Sequence, residues 1–171
     1  MAVEVFPVIM CGGAGTRLWP MSTKAKPKQF HNIVSKLSML QETIARGRDA
    51  GAVKTAAPSF VCSSMHKDII FEQCSDIGVS PHKVILEPLA RNTAAVAAAI
   101  ALELDSDDND KLVLLLPADH HITKVSEFWA AIHAGCESAV GGNIVTFGIQ
   151  PEHPETGYGY IHGGKASDDG S

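Results

Sequence analysis

Cysteine is scarce and scattered in this sequence: Cys11, Cys62, Cys74 and Cys136 stand far apart, with no CxxC pair. That spacing excludes a disulfide framework and a zinc site of the usual kind, so reduced thiols are expected. A basic excess is also missing. Lys and Arg number 14 against 19 Asp and Glu, a formal charge of −5, so no global field draws the chain to nucleic acid or to an anionic membrane. Any anion site must be local. No apolar run reaches the length of a membrane span, because the alanine-rich stretch over residues 93–104 stops at Asp105. The first ten residues place no Lys or Arg ahead of an apolar stretch, so a secretory leader is not expected. A cytoplasmic location, with neither nucleic acid nor membrane as a partner, is the expectation.

What is present is ordinary globular material: 171 residues, 45% hydrophobic and 19% charged, enough for one domain (1–171) with its own core. Apolar runs of strand length lie at residues 5–10, 59–62, 83–86, 112–116 and 143–147. Helix-length segments separate them. Ser38 to Gln41 reads as a capping box with Gly51 as the stop, and residues 65–77 have Ser64 before them and Gly78 after. Asn92 is placed to cap a helix reaching Leu104, and Ser126 one reaching Val140 before Gly141 and Gly142. Such alternation predicts an α/β fold: a doubly wound, mostly parallel sheet with helices on both faces. Tyr158 and Tyr160 alternate in a further short strand candidate, and the last residues read as a surface end. No closing helix follows, which predicts a chain stopping short of its natural domain.

Ligands on a doubly wound sheet bind beyond the carboxyl ends of the strands. The loops after Met10, Leu86 and Leu116 are therefore the informative ones, and all three are unusual. The first, "CGGAGTRLWP", puts glycines and Arg17 at a strand end, with Lys28 following in "KPKQF". It is not a P-loop, since no Gly-Lys-Ser/Thr closes it, and Leu18 stands where the dinucleotide fingerprint has its third glycine. What survives is a backbone that a phosphate can approach, one guanidinium and one ammonium; a plain structural turn is the competing reading. The second loop, "LEPLARNT", sets Glu87 at a strand end and Arg91 just before Asn92. The third, "LLLPADHHI", ends in Asp119, His120 and His121. A strand-end carboxylate suits Mg²⁺, which takes one or two carboxylates plus phosphate oxygens. Adjacent histidines in an extended segment point to opposite sides, so both do not readily face one ion. Cys62 and His66 have ligand-like spacing but straddle a strand end and a helix start.

Together "GGAGTRLWPMS", "KPKQF", "LEPLARNT" and "PADHHI" resemble the mannose-1-phosphate guanylyltransferases, or GDP-mannose pyrophosphorylases, in order and in spacing over essentially the whole chain. "GGxGTRL" alone marks sugar-1-phosphate nucleotidylyltransferases in general; "RLWP", "PKQF" and "EPxxRNT" narrow the resemblance to the mannose branch. The resemblance implies a Rossmann-like nucleotidyltransferase fold and transfer of GMP from GTP to mannose 1-phosphate, with Mg²⁺ as cofactor. It implies that Gly12, Gly13, Ala14, Gly15 and Thr16 cradle the nucleotide and that Arg17 and Lys28 contact phosphates. Glu87 stands where thymidylyl relatives carry a base-contacting glutamine, Arg91 and Asn92 line the nucleotide side, Asp119 takes the metal, and "TGYGYI" resembles the start of a sugar-binding half with Gly159 as a sugar contact.

Family members are longer, with a second metal-binding aspartate and a glutamate–lysine sugar motif beyond Ser171, so nucleotide binding without turnover is expected of this chain alone. Two other readings stand beside it. One is a non-catalytic nucleotide-binding module; the other is a metal-dependent phosphoesterase using Asp119, His120 and His121. A homo-oligomer is left open.

Overall fold

The computed structural model describes residues 4–13, 18–89, 92–104 and 111–164. β1 (Glu4–Met10) is the central strand of a five-stranded sheet. On one side it pairs in parallel with β5 (Leu112–Pro117), from Val5 opposite Leu112 to Met10 opposite Pro117. On the other it meets β2 (Lys54–Thr55) and then β3 (Ser59–Cys62), which in turn pairs with β4 (Lys83–Leu86).

The break between β2 and β3 has a cause in β1. Val5 accepts from the Ala56 amide and Cys11 donates to the Val61 carbonyl, so odd-numbered residues of β1 turn their backbone groups toward β2 and β3. Pro7 is one of them and has no N–H to give. Its place falls between the pairings of Val5 with Thr55 and Val8 with Ser59, where the neighbouring strand is interrupted.

Strand alternation divides the core in two. Val5, Ile9, Phe60, Cys62, Leu114 and Leu116 face one side and Val8, Val61 and Leu115 the other. The first face is covered by α1 (Met39–Arg46), α2 (Lys67–Asp76) and α4 (Val125–Val140), through Leu40, Ile44, Ile70, Cys74, Trp129 and Ile132. The second is covered by α3 (Asn92–Leu104), whose alanines leave Val96 and Ile100, one turn apart, to make the buried stripe. The sheet is thus parallel and carries helices on both faces, as the sequence predicts. No helix among the described residues is long and apolar enough to cross a membrane.

Local signals held in part. Ser38 and Gln41 form the reciprocal capping box of α1. The helix ends at Arg46, however; a 3-10 turn over Gly47–Asp49 follows, and Gly51 supplies a φ of 60° only after it. α2 is preceded by a 3-10 turn at Ser64–His66, so the capping oxygen is that of Ser63, accepting from the Met65 amide at 3.3 Å, and not that of Ser64. Ser126 lies within α4 rather than capping it. Residues 143–147 are not a strand: Val145 and Phe147 fold back to within 3.0 and 3.3 Å of a Cβ position on Gly135 of α4, leaving Ile144 exposed. Residues 158–160 are not a strand either. Tyr158 and Tyr160 are exposed, and Tyr160 Oη accepts from the Glu155 amide in a local turn.

Candidate active site

Parallel register brings the informative loops to one edge. The Ala118 amide donates to the Met10 carbonyl at 3.1 Å, continuing the β1–β5 ladder one step past the strand, and the Glu87 amide donates to the Cys62 carbonyl at 2.8 Å, doing the same for β4 on β3. The glycine loop therefore leaves the sheet in the middle, with Asp119 on its β5 side and Glu87 on its β4 side.

Each described part of this edge is fixed from below. A Cβ on Gly12 would lie 3.6 Å from Glu87 Oε2, so the carboxylate rests against the start of the glycine loop. Gly13 has a φ of 104°, in the left-handed region where glycine is favoured. Lys28 opens a 3-10 turn (Lys28–Phe30) whose next two side chains are buried. Gln29 Nε2 donates to the Cys11 carbonyl at 2.9 Å, and Phe30 is 1% exposed, with its carbonyl accepting from Gln73 Nε2 at 3.0 Å. With its neighbours held in the core, Lys28 is turned to the crevice, where Nζ meets Asp119 Oδ2 at 2.7 Å. Cys11, directly before the glycines, is fully buried; burial and the neighbouring Cys62 and Cys74 push its thiol pKa well up, which makes it a packing group and not a nucleophile.

The structure thus brings Gly12 against Glu87, and Lys28 against Asp119, with Gly13 following Gly12 in the loop. Asn92 begins α3 with a φ of 63°, a left-handed conformation and not the extended one of an ordinary cap. Ala14, Gly15, Thr16, Arg17 and Arg91 lie outside the described residues. Gly159 sits in an exposed segment where a Cβ would meet nothing within 4 Å. Among the described residues the hydrogen bonds of that segment are internal to it.

The phosphoesterase arrangement is not assembled. His121 Nδ1 lies 3.4 Å from Glu42 Oε2 on α1, and the His120 carbonyl accepts from Arg46 Nη2. Among the described residues no three His, Cys, Asp or Glu side chains gather as a metal cage. One partly exposed carboxylate beside an open crevice fits a Mg²⁺ that keeps waters and takes phosphate oxygens. His66 is likewise committed to the fold: Nε2 bonds the Lys24 carbonyl at 2.9 Å and the ring lies 5.4 Å from that of Phe30. A separate cavity of about 400 Å³, bordered by Pro7, Ile44, Pro58 and Trp129, includes none of Gly12, Gly13, Lys28, Glu87 and Asp119.

Gln29, Gln73 and Arg46 are supports that sequence reasoning did not single out. "KPKQF" contained Gln29, but its partner is 18 residues away and Arg46's is 74 away.

A parallel sheet whose central strand empties into a glycine loop, flanked by a lysine–aspartate pair and a lone carboxylate, is the architecture of a nucleotide-handling enzyme. The family profile described as nucleotidyl transferase matches residues 6–169, and the chain belongs to that family. Among curated relatives, the mannose-1-phosphate guanylyltransferase of Escherichia coli is 43% identical over 171 residues, covering 99% of this chain and 36% of its own length. The mannose-1-phosphate guanylyltransferase RfbM of Salmonella typhimurium is 46% identical, covering 95% and 34%. A solved structure described as a mannose-1-phosphate geranyltransferase from Thermus thermophilus superposes with a TM-score of 0.72 at 29% identity, over 90% of this chain and 44% of that one. The chain spans about a third of the length of the curated relatives it matches.

Proposed function

We propose that the parent protein transfers GMP from GTP to mannose 1-phosphate, releasing pyrophosphate, and that these residues form its nucleotide side. The observation that carries this is the polarity of the strand-end crevice: Glu87 against Gly12 on the β4 side of the glycine loop, Lys28 with Asp119 on the β5 side. The names of the relatives supply the substrates; the crevice supplies a reason for the guanine base and the phosphates.

Guanine presents two adjacent donors, N1–H and the N2 amino group, and a carboxylate accepts both. Adenine presents an acceptor at N1, which Glu87 would repel. The triphosphate then runs along the glycine loop toward Lys28. The incoming sugar phosphate is already anionic at neutral pH, its second pKa being about 6, so no base has to remove a proton. One of its oxygens forms a bond to the α-phosphorus as the bond from that phosphorus to the bridging oxygen breaks, and pyrophosphate departs with the electron pair. The difficulty is the approach of two polyanions. Lys28 and Arg17 offset that repulsion, and Asp119 is the residue that would hold Mg²⁺, which supplies further charge stabilisation on the phosphates.

The 171-residue chain on its own is proposed to bind GTP without turnover. The chain spans about a third of the curated relatives' length, and the glutamate–lysine sugar motif that the resemblance implies lies beyond Ser171, so the second substrate is left without those positioning groups. Positioning accounts for about 7–11 kcal/mol of a barrier.

The test is nucleotide discrimination. In competition binding the chain prefers GTP to ATP, and Glu87→Gln, which replaces one accepting oxygen with a donor, removes about 1.5–3 kcal/mol of that preference. Undiminished preference in the variant would remove Glu87 from base recognition.

A further inference from the structure

The loop carrying Asp119 is gripped from behind by α1. Arg46, in the last turn of that helix, is 5% exposed, and its Nη2 donates to the His120 carbonyl at 2.9 Å. Its guanidinium lies 5.4 Å from the Phe128 ring, and its own carbonyl accepts from Trp129 Nε1 at 2.8 Å. One turn earlier Glu42 reaches His121 Nδ1 at 3.4 Å. Two consecutive residues of the loop are therefore held by two residues one helical turn apart, His120 by its backbone and His121 by its ring.

A buried guanidinium is a costly anchor. Desolvation lowers the Arg46 pKa, with the Glu42 charge offsetting part of the effect. Apolar replacements of buried charges are often neutral or stabilising, so packing on Phe128 and Trp129 alone does not explain an arginine here. What an apolar side chain lacks is a directional donor for the carbonyl next to Asp119. On the other side of that residue the Ala118 amide is already tied to Met10 at the sheet edge. The Asp119 carboxylate itself is held by Lys28 in a pair partly open to water. Arg46 supplies the tie on the side that leads away from the sheet.

We propose that Arg46 is a positioning residue that, through the His120 carbonyl and with Glu42 as its companion, holds Asp119 at the crevice for the magnesium–triphosphate group. This rests on the reading of Asp119 given above. Arg46 touches neither nucleotide nor metal; it acts on the loop.

The test uses the chain with Arg46→Met, followed by amide hydrogen exchange and by GTP affinity with and without Mg²⁺. Exchange over residues 118–123 is expected to rise while β1 and α2 keep their protection. The gain in GTP affinity that Mg²⁺ confers should fall by about 10–100-fold, the usual loss when an outer support of a metal ligand is removed. Affinity without Mg²⁺ should stay as it was, and Arg46→Lys, which keeps a donor, should restore part of the gain. A folded Arg46→Met chain with native loop exchange, or with an undiminished magnesium gain, overturns the proposal. If the unsubstituted chain shows no magnesium-dependent GTP binding, the reading of Asp119 fails and loop exchange alone decides whether Arg46 positions the loop. Should Arg46→Met not fold, Glu42→Ala, which removes the companion hold on His121, is read in the same way: raised loop exchange and a reduced magnesium gain are expected, and native values of both overturn the proposal.

Discussion

Substitution of Lys28 separates an effect on binding from an effect on stability. Its ammonium pairs with Asp119 at 2.7 Å, but the two side chains are 31% and 36% exposed. Water screens a pair of that kind, and its contribution to the fold is about 0.2–1 kcal/mol. For a chain of this length, losing it lowers the melting temperature by no more than about 4 °C. The fold does not depend on the Lys28 head group, because Gln29 and Phe30 hold the turn through the Cys11 carbonyl and the core. In the proposed site the same ammonium would face a triphosphate, and a charge-assisted hydrogen bond of that class is worth about 1.5–3 kcal/mol, or about 10–150-fold in affinity. Lys28→Met keeps the apolar stem and deletes the charge. Scanning calorimetry should therefore register almost nothing, while GTP titration registers the full loss, and added salt should narrow the gap between the two proteins. A drop well beyond about 4 °C with GTP affinity intact would make the lysine a structural residue and refute this assignment.

Arg17→Ala should resemble Lys28→Met, weakening GTP binding by roughly 1.5–3 kcal/mol with little change in melting temperature. A large fall in melting temperature at unchanged affinity contradicts that role. Stability should also depend on alkaline pH through the buried thiols. Burial raises Cys62 and Cys74 from 9.0 to about 11, so the neutral thiol is the form the fold favours. Their contribution is complete below pH 9.0 and lost as the pH rises through about 11. Urea unfolding midpoints should fall over that window, and less steeply in a Cys62→Ala, Cys74→Ala protein. Parallel falls in the two proteins would assign the effect to other groups.

Four of the five strands were legible because each is an apolar run bounded by polar punctuation; β2, at two residues, is too short to carry a pattern. The helices were legible from caps and glycine stops, with errors of a residue or a turn. Ser63 and Ser64 are adjacent hydroxyls, and only backbone geometry selects between them. Residues 143–147 look like a strand because their apolar side chains alternate. Alternation does not say whether the face they bury belongs to a sheet edge or a helix, and here Val145 and Phe147 lie on Gly135. At the edge of the sheet, Glu87 and Asp119 were legible because strand–helix alternation predicts which strand ends converge, and Lys28 was singled out from "KPKQF" and the resemblance. Their supports were not. Gln29 on Cys11, Gln73 on Phe30 and Arg46 on His120 are polar contacts between distant segments, and periodicity carries no trace of them. The histidines are the converse case: "DHH" offers ligand chemistry only as an alternative reading, and the structure uses His120 and His121 to hold the loop to α1.

Calorimetric titration of the folded 171-residue chain with GTP, in the presence and absence of Mg²⁺, tests the nucleotide-side assignment most directly. Saturable GTP binding that Mg²⁺ strengthens is expected, with no GDP-mannose formed when mannose 1-phosphate is added. Folded protein that binds no GTP at any Mg²⁺ concentration would contradict it.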